Sequence, residues 1–187
     1  MISIPPLRPG DLIAVVAPAG MVTPAQIMPG VDWLEKRGYR IWLGPNLFGR
    51  SFQFSGSDAE RLSDLQQALD LEEAKAIIFA RGGYGTIRIA GLADFGKFRE
   101  NPKWLAGYSD ITIIHSICAS LGIPSIHGAM VRNSMGPDGV TSAGFVRMVE
   151  MLEGKRGGYH TGSHSLNRNG IASAPVIGGN LSLLYSL

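Results

Sequence analysis

Short apolar runs alternate with helix-patterned stretches from Leu12 to Leu152, and few folds accept that order. Leu12 to Ala17 is dominated by β-branched residues and stopped by Pro18-Ala19-Gly20. It shows no apolar–polar alternation, which predicts a strand covered on both faces. Tyr39 to Leu43, Ala76 to Ala80, Trp104 to Tyr108 and Pro124 to His127 supply four further strands. Helices fall between them. Thr23 and Pro24 open the first, which carries Ile27, Val31 and Leu34, is weakened by Pro29-Gly30 and ends at Gly38. Ser57-Asp58-Ala59-Glu60 is a capping-box pattern ahead of Leu62, Leu65 and Leu69. Residues 84 to 92 give a short third helix. Ile111, Ile114, Ile117, Cys118 and Leu121 share one side of the next, closed by Gly122 and Pro124. The last runs from Ser142 to Leu152 and closes at Gly154. The fold class is α/β: a flavodoxin-like, mostly parallel sheet with helices on both faces.

Beyond this pattern the composition changes. Residues 154 to 175 are rich in Gly, Ser, Thr and Asn and read as a linker or loose hairpin. The expected organisation is an α/β domain over 1–153, a linker over 154–175, and the start of a second domain over 176–187. Ile177-Gly178-Gly179-Asn180-Leu181 opens an apolar run that reaches Leu187 without a terminating signal, so the sequence reads as part of a longer protein.

Charge and composition exclude several classes. Of the 187 residues, 45% are hydrophobic and 17% charged, which suits a packed core and not a disordered chain. The net charge of +2, without a basic cluster, argues against a nucleic-acid partner or an anionic membrane. The N-terminus lacks the charged and apolar regions of a signal peptide, and no run approaches bilayer length. The expectation is a cytoplasmic protein; a homodimer is compatible with it. A single cysteine, Cys118, rules out an intrachain disulfide and sits where a small buried hydrophobe is expected. No Cys, His and carboxylate set has a metal-ligand spacing, and neither metal nor cofactor is expected.

Three unusual loops follow strands one, three and four: Pro18 to Gly20, Arg81 to Gly85, and the turn at Ser109. In a flavodoxin-like order these strands are neighbours, and ligands bind at that edge. Gly107-Tyr108-Ser109-Asp110 joins a strand directly to a helix, where a serine can stand on a sharp turn with helix N–H groups behind it. Ile111 replaces the last glycine of the usual elbow, and Ser109 or Asp110 as a plain helix cap fits the same residues. Arg81-Gly82-Gly83-Tyr84-Gly85 can form an anion-binding nest or simply a tight turn; it lacks the Lys-Ser/Thr of a phosphate loop. A serine nucleophile needs a base. His115 lies six positions past Ser109 and points to another side of the helix. His127, at the end of the fifth strand, is the local candidate, with a structural or pocket-lining histidine as the alternative. His160 and His164 fall in the glycine-rich stretch.

The ordered series is Pro5 to Ile13 (Pro-x-Leu-x-Pro-Gly-Asp-x-Ile), Ala17 to Gly20, Arg81 to Gly85, Gly107 to Asp110, His127-Gly128 and Gly178 to Leu181. It resembles the LD-carboxypeptidases, the muramoyltetrapeptide carboxypeptidase family S66, together with relatives that give immunity to microcin-type antibiotics. The resemblance spans nearly the whole chain. It implies a Ser-His-Glu triad that removes a terminal D-residue, typically D-alanine, from a murein-derived peptide. By that analogy Ser109 is the nucleophile, and the oxyanion donors are the backbone N–H groups of Asp110 and Gly83. Gly82, Tyr84 and His127 then contact substrate. The family's Glu and His lie beyond Asn180 and outside this sequence, so His127 becomes a pocket residue. Two other readings stay open: a non-catalytic flavodoxin-like module that binds an anionic small molecule, and a complete hydrolase using His127.

Overall fold

The computed structural model describes residues 2–186 except 156, 159, 161 and 169. Five strands form one all-parallel sheet: β1 (Leu12–Val16), β2 (Arg40–Leu43), β3 (Ala74–Phe79), β4 (Trp104–Gly107) and β5 (Ile126–His127). Their spatial order is β2-β1-β3-β4-β5. That is the flavodoxin-like doubly wound order expected from the strand–helix alternation.

The strand runs look uniformly apolar because both faces of the sheet are buried. Leu12, Ala14 and Val16 of β1 pack into one core, and Ile13, Val15 and Ala17 into the other. β3 divides in the same way, with Ile77 and Phe79 on the first face and Ala76, Ile78 and Ala80 on the second. The period of two survives, concealed by the fact that both sides need hydrophobes. Each fully buried Val or Ile contributes about 1.5–3 kcal/mol relative to exposure.

The first face is covered by α2 (Asp58–Asp70), α3 (Thr86–Ala90), α4 (Gly96–Glu100) and α5 (Thr112–Ser120). The second is covered by α1 (Pro24–Lys36) and α6 (Ala143–Leu152). α2 begins with the predicted capping box: Glu60 Oε2 accepts from the Ser57 amide at 2.7 Å, and Ser57 Oγ accepts from the Glu60 amide at 3.3 Å. α1 runs straight through Pro29-Gly30. The glycine has a packing reason, since a Cβ there would lie 2.6 Å from Ser134 Oγ and 2.9 Å from Val131. α4 carried no signal in the sequence pattern; it is anchored by Phe98, which is fully buried. Lys103, just before β4, donates to the Ala68, Leu69 and Leu71 carbonyls at 3.3, 3.0 and 2.5 Å and so closes the end of α2, whose last turn has no basic residue.

Among the described residues from 154 to 180 there is no helix or strand, and all are exposed. Four positions of the expected linker, and Leu187, lie outside the described residues. A short helix, α7 (Leu181–Tyr185), follows, and the Asn180 amide donates to Thr112 Oγ1 of α5 at 2.9 Å. Among the described residues no helix is long and apolar enough to cross a membrane.

The ends of α1 and α6 are joined by one ion pair. Arg37 Nε and Nη2 donate to Glu153 Oε1 and Oε2 at 2.6 and 2.8 Å, and the Tyr39 hydroxyl donates to Oε1 at 3.0 Å. The Arg37 bonds hold the Glu153 carboxyl below its ordinary 4.5. A depressed carboxyl adds stability above its unfolded value, and that stability is lost as pH falls through the folded value. Glu153→Gln should therefore lower the urea midpoint near neutral pH and narrow its fall on acidification below about pH 4.5. Equal acid sensitivity in the two proteins would show that this pair does not contribute.

Candidate active site

The loops after β1, β3 and β4 meet at the carboxyl edge of the sheet, where the strand order reverses between β1 and β3. The Gly20 amide donates to the Gly82 carbonyl at 3.1 Å, and Arg81 Nη1 donates to the Met21 carbonyl at 2.7 Å. These bonds lay the Pro18–Gly20 loop against Arg81–Gly85. Gly82 in turn abuts the Ser109 turn: a Cβ on it would lie 3.2 Å from Ser109 Cβ, 3.3 Å from the Tyr108 carbonyl and 3.4 Å from the Asp110 nitrogen. All three predicted loops thus converge.

Ser109 stands on a strand-to-helix turn. β4 ends at Gly107, Tyr108 stays extended, and Ser109 takes a left-handed conformation with φ +61°. A single 3-10 turn over Ser109–Ile111 then leads into α5. A serine with positive φ is held there by its surroundings, and such residues concentrate at functional sites. Ile111, where the elbow pattern has glycine, is fully buried, and Gly107 makes room for it: a Cβ at 107 would lie 3.0 Å from Ile111 Cγ1. Ser109 is half-buried, and its hydroxyl makes no hydrogen bond among the described residues. Asp110 does act as a cap, but of a different helix. Its Oδ2 accepts from the amide of Thr86, the first residue of α3, at 2.8 Å.

Two backbone donors of these loops are unused. Neither the Gly83 nor the Asp110 amide donates to another group among the described residues. Gly83 has φ +123° and Gly85 φ +135°, backbone conformations that a side chain would resist. A serine hydroxyl flanked by free amides can attack a carbonyl and have the resulting oxyanion held in place. Tyr84 is half exposed beside the Phe54 ring, with centroids 6.3 Å apart.

The histidines separate cleanly. His115 is buried and folds back to the end of β4, a position its helical spacing did not reveal. Its Nε2 donates to the Gly107 carbonyl at 2.9 Å, which leaves Nδ1 to accept from Ser125 Oγ at 2.8 Å. Burial lowers its pKa, so it stays neutral with both nitrogens engaged and has no lone pair for Ser109. His127 is exposed and packs edge-on to Tyr108 at 6.3 Å, with His115 at 5.8 Å. It lines an open groove of about 450 Å³ with Tyr108, Gly128, Asn133, Met135 and Ser142. Ser109 is not among the lining residues, and the Tyr108 hydroxyl donates to Asn133 Oδ1 at 3.3 Å on that wall. His160 and His164 are exposed in the 154–180 stretch. Cys118 is fully buried, which pushes its thiol up to about 12 and makes it inert.

One residue of this region escaped the sequence pattern. Arg61 in α2 is fully buried and donates to the carbonyls of both Pro18 and Gly85. Its spacing, four before Leu65 and eight before Leu69, puts it on the buried stripe of α2, but a charged residue type reads as solvent-facing.

Fold and site define a doubly wound α/β domain that presents a serine on a strained strand-to-helix turn beside free backbone amides. Residues 13–128 match the Peptidase S66 family in its LD-carboxypeptidase N-terminal domain, and the chain belongs to that family. It is 35% identical over 189 residues to the probable murein peptide carboxypeptidase of Bacillus subtilis, covering 96% of this chain and 57% of that protein. The crystal structure of muramoyltetrapeptide carboxypeptidase from Oxalobacter formigenes superposes with a TM-score of 0.67 at 26% identity, over 75% of this chain and 47% of the other. The microcin C7 self-immunity protein MccF of Escherichia coli is 25% identical over 161 residues, which is 83% of this chain and 47% of that protein. The chain spans about half the length of the curated relatives it matches.

Gly85→Ala tests the loop geometry. A Cβ there would sit at φ +135° and 2.8 Å from Arg61 Nη1. The variant should lose about 1–3 kcal/mol of stability, read from denaturant melts. Unchanged stability would show that the loop relaxes freely.

Proposed function

We propose that this chain is the nucleophile-bearing part of a serine LD-carboxypeptidase that removes a terminal D-amino acid, D-alanine, from LD-linked murein peptides. The observation that carries the reading is Ser109: left-handed backbone, free hydroxyl, and Gly82 pressed against its turn. Ser109 attacks the scissile carbonyl, and the amides of Gly83 and Asp110 receive the oxyanion. Tyr84 and His127 are exposed where a peptide would touch, whereas Gly82 is buried against the Ser109 turn and shapes the site through its backbone. No histidine among the described residues combines a free ring nitrogen with a carboxylate to orient it, which supports a Glu and a His supplied from outside residues 1–187. We propose the division accordingly, with the nucleophile domain over 1–153, a linker over 154–175 and a second domain opening at 176. A cytoplasmic location fits recycling of cell-wall fragments, and a homodimer is the assembly to test. The 25% identity to a microcin self-immunity protein supports a second reading, in which the same serine cleaves a peptide-bearing antibiotic.

The full-length protein should release D-alanine from an LD-linked tetrapeptide, and Ser109→Ala should lower the rate by on the order of a million-fold. Near-normal turnover in the alanine variant would remove Ser109 from the mechanism. Hydrolysis of aspartyl sulfamoyl adenosine, the compound held in a solved MccF structure, to aspartate and sulfamoyl adenosine, with no D-alanine released from the tetrapeptide, would favour the second reading.

Assayed by itself, the 187-residue chain should be essentially inactive, because a serine hydroxyl must lose its proton as it attacks. Substantial activity that disappears with His127→Ala would make His127 the base and overturn the proposed Glu and His.

A further inference from the structure

A buried arginine and a buried aspartate grip the two ends of one peptide group. Arg61, with no exposed side-chain surface, donates through Nη1 to the Gly85 carbonyl at 3.1 Å and to the Pro18 carbonyl. Asp110, 1% exposed, accepts through Oδ2 from the Thr86 amide at 2.8 Å. The Gly85 carbonyl and the Thr86 N–H belong to the same planar unit. That plane is therefore fixed from both sides, by α2 and by the residue next to Ser109.

Each grip is itself anchored. Arg61 Nη2 donates to Asp58 Oδ1, and its guanidinium stacks 4.8 Å over the Phe54 ring. Asp58 is held in turn by Arg88 Nε at 2.8 Å. Asp110 Oδ1 and Thr86 Oγ1 are buried without partners among the described residues, so the Thr86 amide is the carboxylate's one protein bond there. Burying charges in this way is costly, and a packed apolar pair of equal volume stabilises as well or better. What charged groups supply that apolar ones cannot is a directed hydrogen bond.

We infer that the side chains of Arg61 and Asp110 are positioning residues, which orient the Gly83 amide toward Ser109 by clamping the Gly85–Thr86 peptide. Gly83 lies between two fixed points. Gly82 rests on the Ser109 turn, and the clamped plane begins at Gly85. The Gly83 N–H shares its peptide plane with the Gly82 carbonyl, which accepts from the Gly20 amide at 3.1 Å, so that bond and the Gly85–Thr86 clamp hold the loop on either side of Gly83 and Tyr84, although glycine at φ +123° is intrinsically permissive. The Pro18 carbonyl shares Arg61 Nη1, so the same arginine ties the first loop to the third. Preorganised donors act only where the oxyanion will form, and an error of about 1 Å costs on the order of 100-fold in rate.

The inference rests on the proposed serine reaction, and the experiment separates the two. Arg61→Lys and Asp110→Ala are made in the full-length protein; the second leaves the Asp110 backbone amide in place. Tetrapeptide turnover is measured beside hydrogen exchange of the amides from Gly82 to Thr86. Expected is a kcat lower by roughly 10- to 100-fold with KM within about threefold, since the lost interaction belongs to the transition state. Exchange in the loop should rise while β1 and β3 stay protected. Should either variant fail to fold, Phe54→Leu, which removes the ring that stacks on Arg61 and also touches Arg88 and Tyr84, should lower kcat at least about threefold. Folded variants with parental kcat, or with unchanged loop exchange, would overturn the inference. A parent protein without turnover would instead overturn the proposed reaction, and the exchange result would then decide alone whether the clamp holds the loop.

Discussion

Everything at the site depends on β1 and β3 lying side by side with both faces buried. A parallel sheet covered on two sides leaves its strands no exposed face, and the loops can emerge only at the ends. Because β1 is followed by a return to one edge and β3 by a crossing toward the other, the loops after them part at a crevice. The Pro18 and Arg81 loops meet across that crevice, and β4 brings the Ser109 turn to its next position. The hydrophobic alternation inside β1 and β3 is thus the remote cause of a polar arrangement at their ends.

The site then depends on close backbone approach. Gly20 admits the Gly82 carbonyl and the Arg81 side chain, Gly82 admits the Ser109 turn, and Gly85 admits Arg61. A methyl group would collide with backbone at Gly20 and with the buried guanidinium at Gly85, and would crowd the Ser109 turn at Gly82. The result is a set of closely packed loops in which the Gly83 and Asp110 amides are unused among the described residues. Ser109 carries the strain directly in its positive φ, and its neighbour Asp110 spends its side chain on a distant helix.

The charged groups of the domain fall into two kinds. Arg37 and Glu153 form a partly exposed fork that joins two helix ends and acts on stability. Arg61 and Asp110 are buried, touch backbone groups of the site loops, and act on geometry. Their burial tells them apart, because only a desolvated, fully directed hydrogen bond can fix a peptide plane.

Local pattern was enough to read the five strands, the capping box of α2, the apolar side of α5 and the three loops that matter, since each follows from short-range periodicity and turn chemistry. Helix caps and strand ends shifted by a residue or two, as fraying ends do. The Ser109 turn and the Gly82–Gly83 loop were legible as candidates because residue type and position relative to a strand are one-dimensional facts. The roles of Arg61, the Asp110 side chain and His115 were not, because each is defined by a partner 20 or more residues away or across the turn: Pro18 and Gly85, Thr86, Gly107 and Ser125. The sequence by itself determined the alternation, the parallel sheet and the serine at its edge. Only the tertiary structure decided which buried charges hold that edge in shape, because a hydrogen bond between distant segments exists only once packing has brought them together.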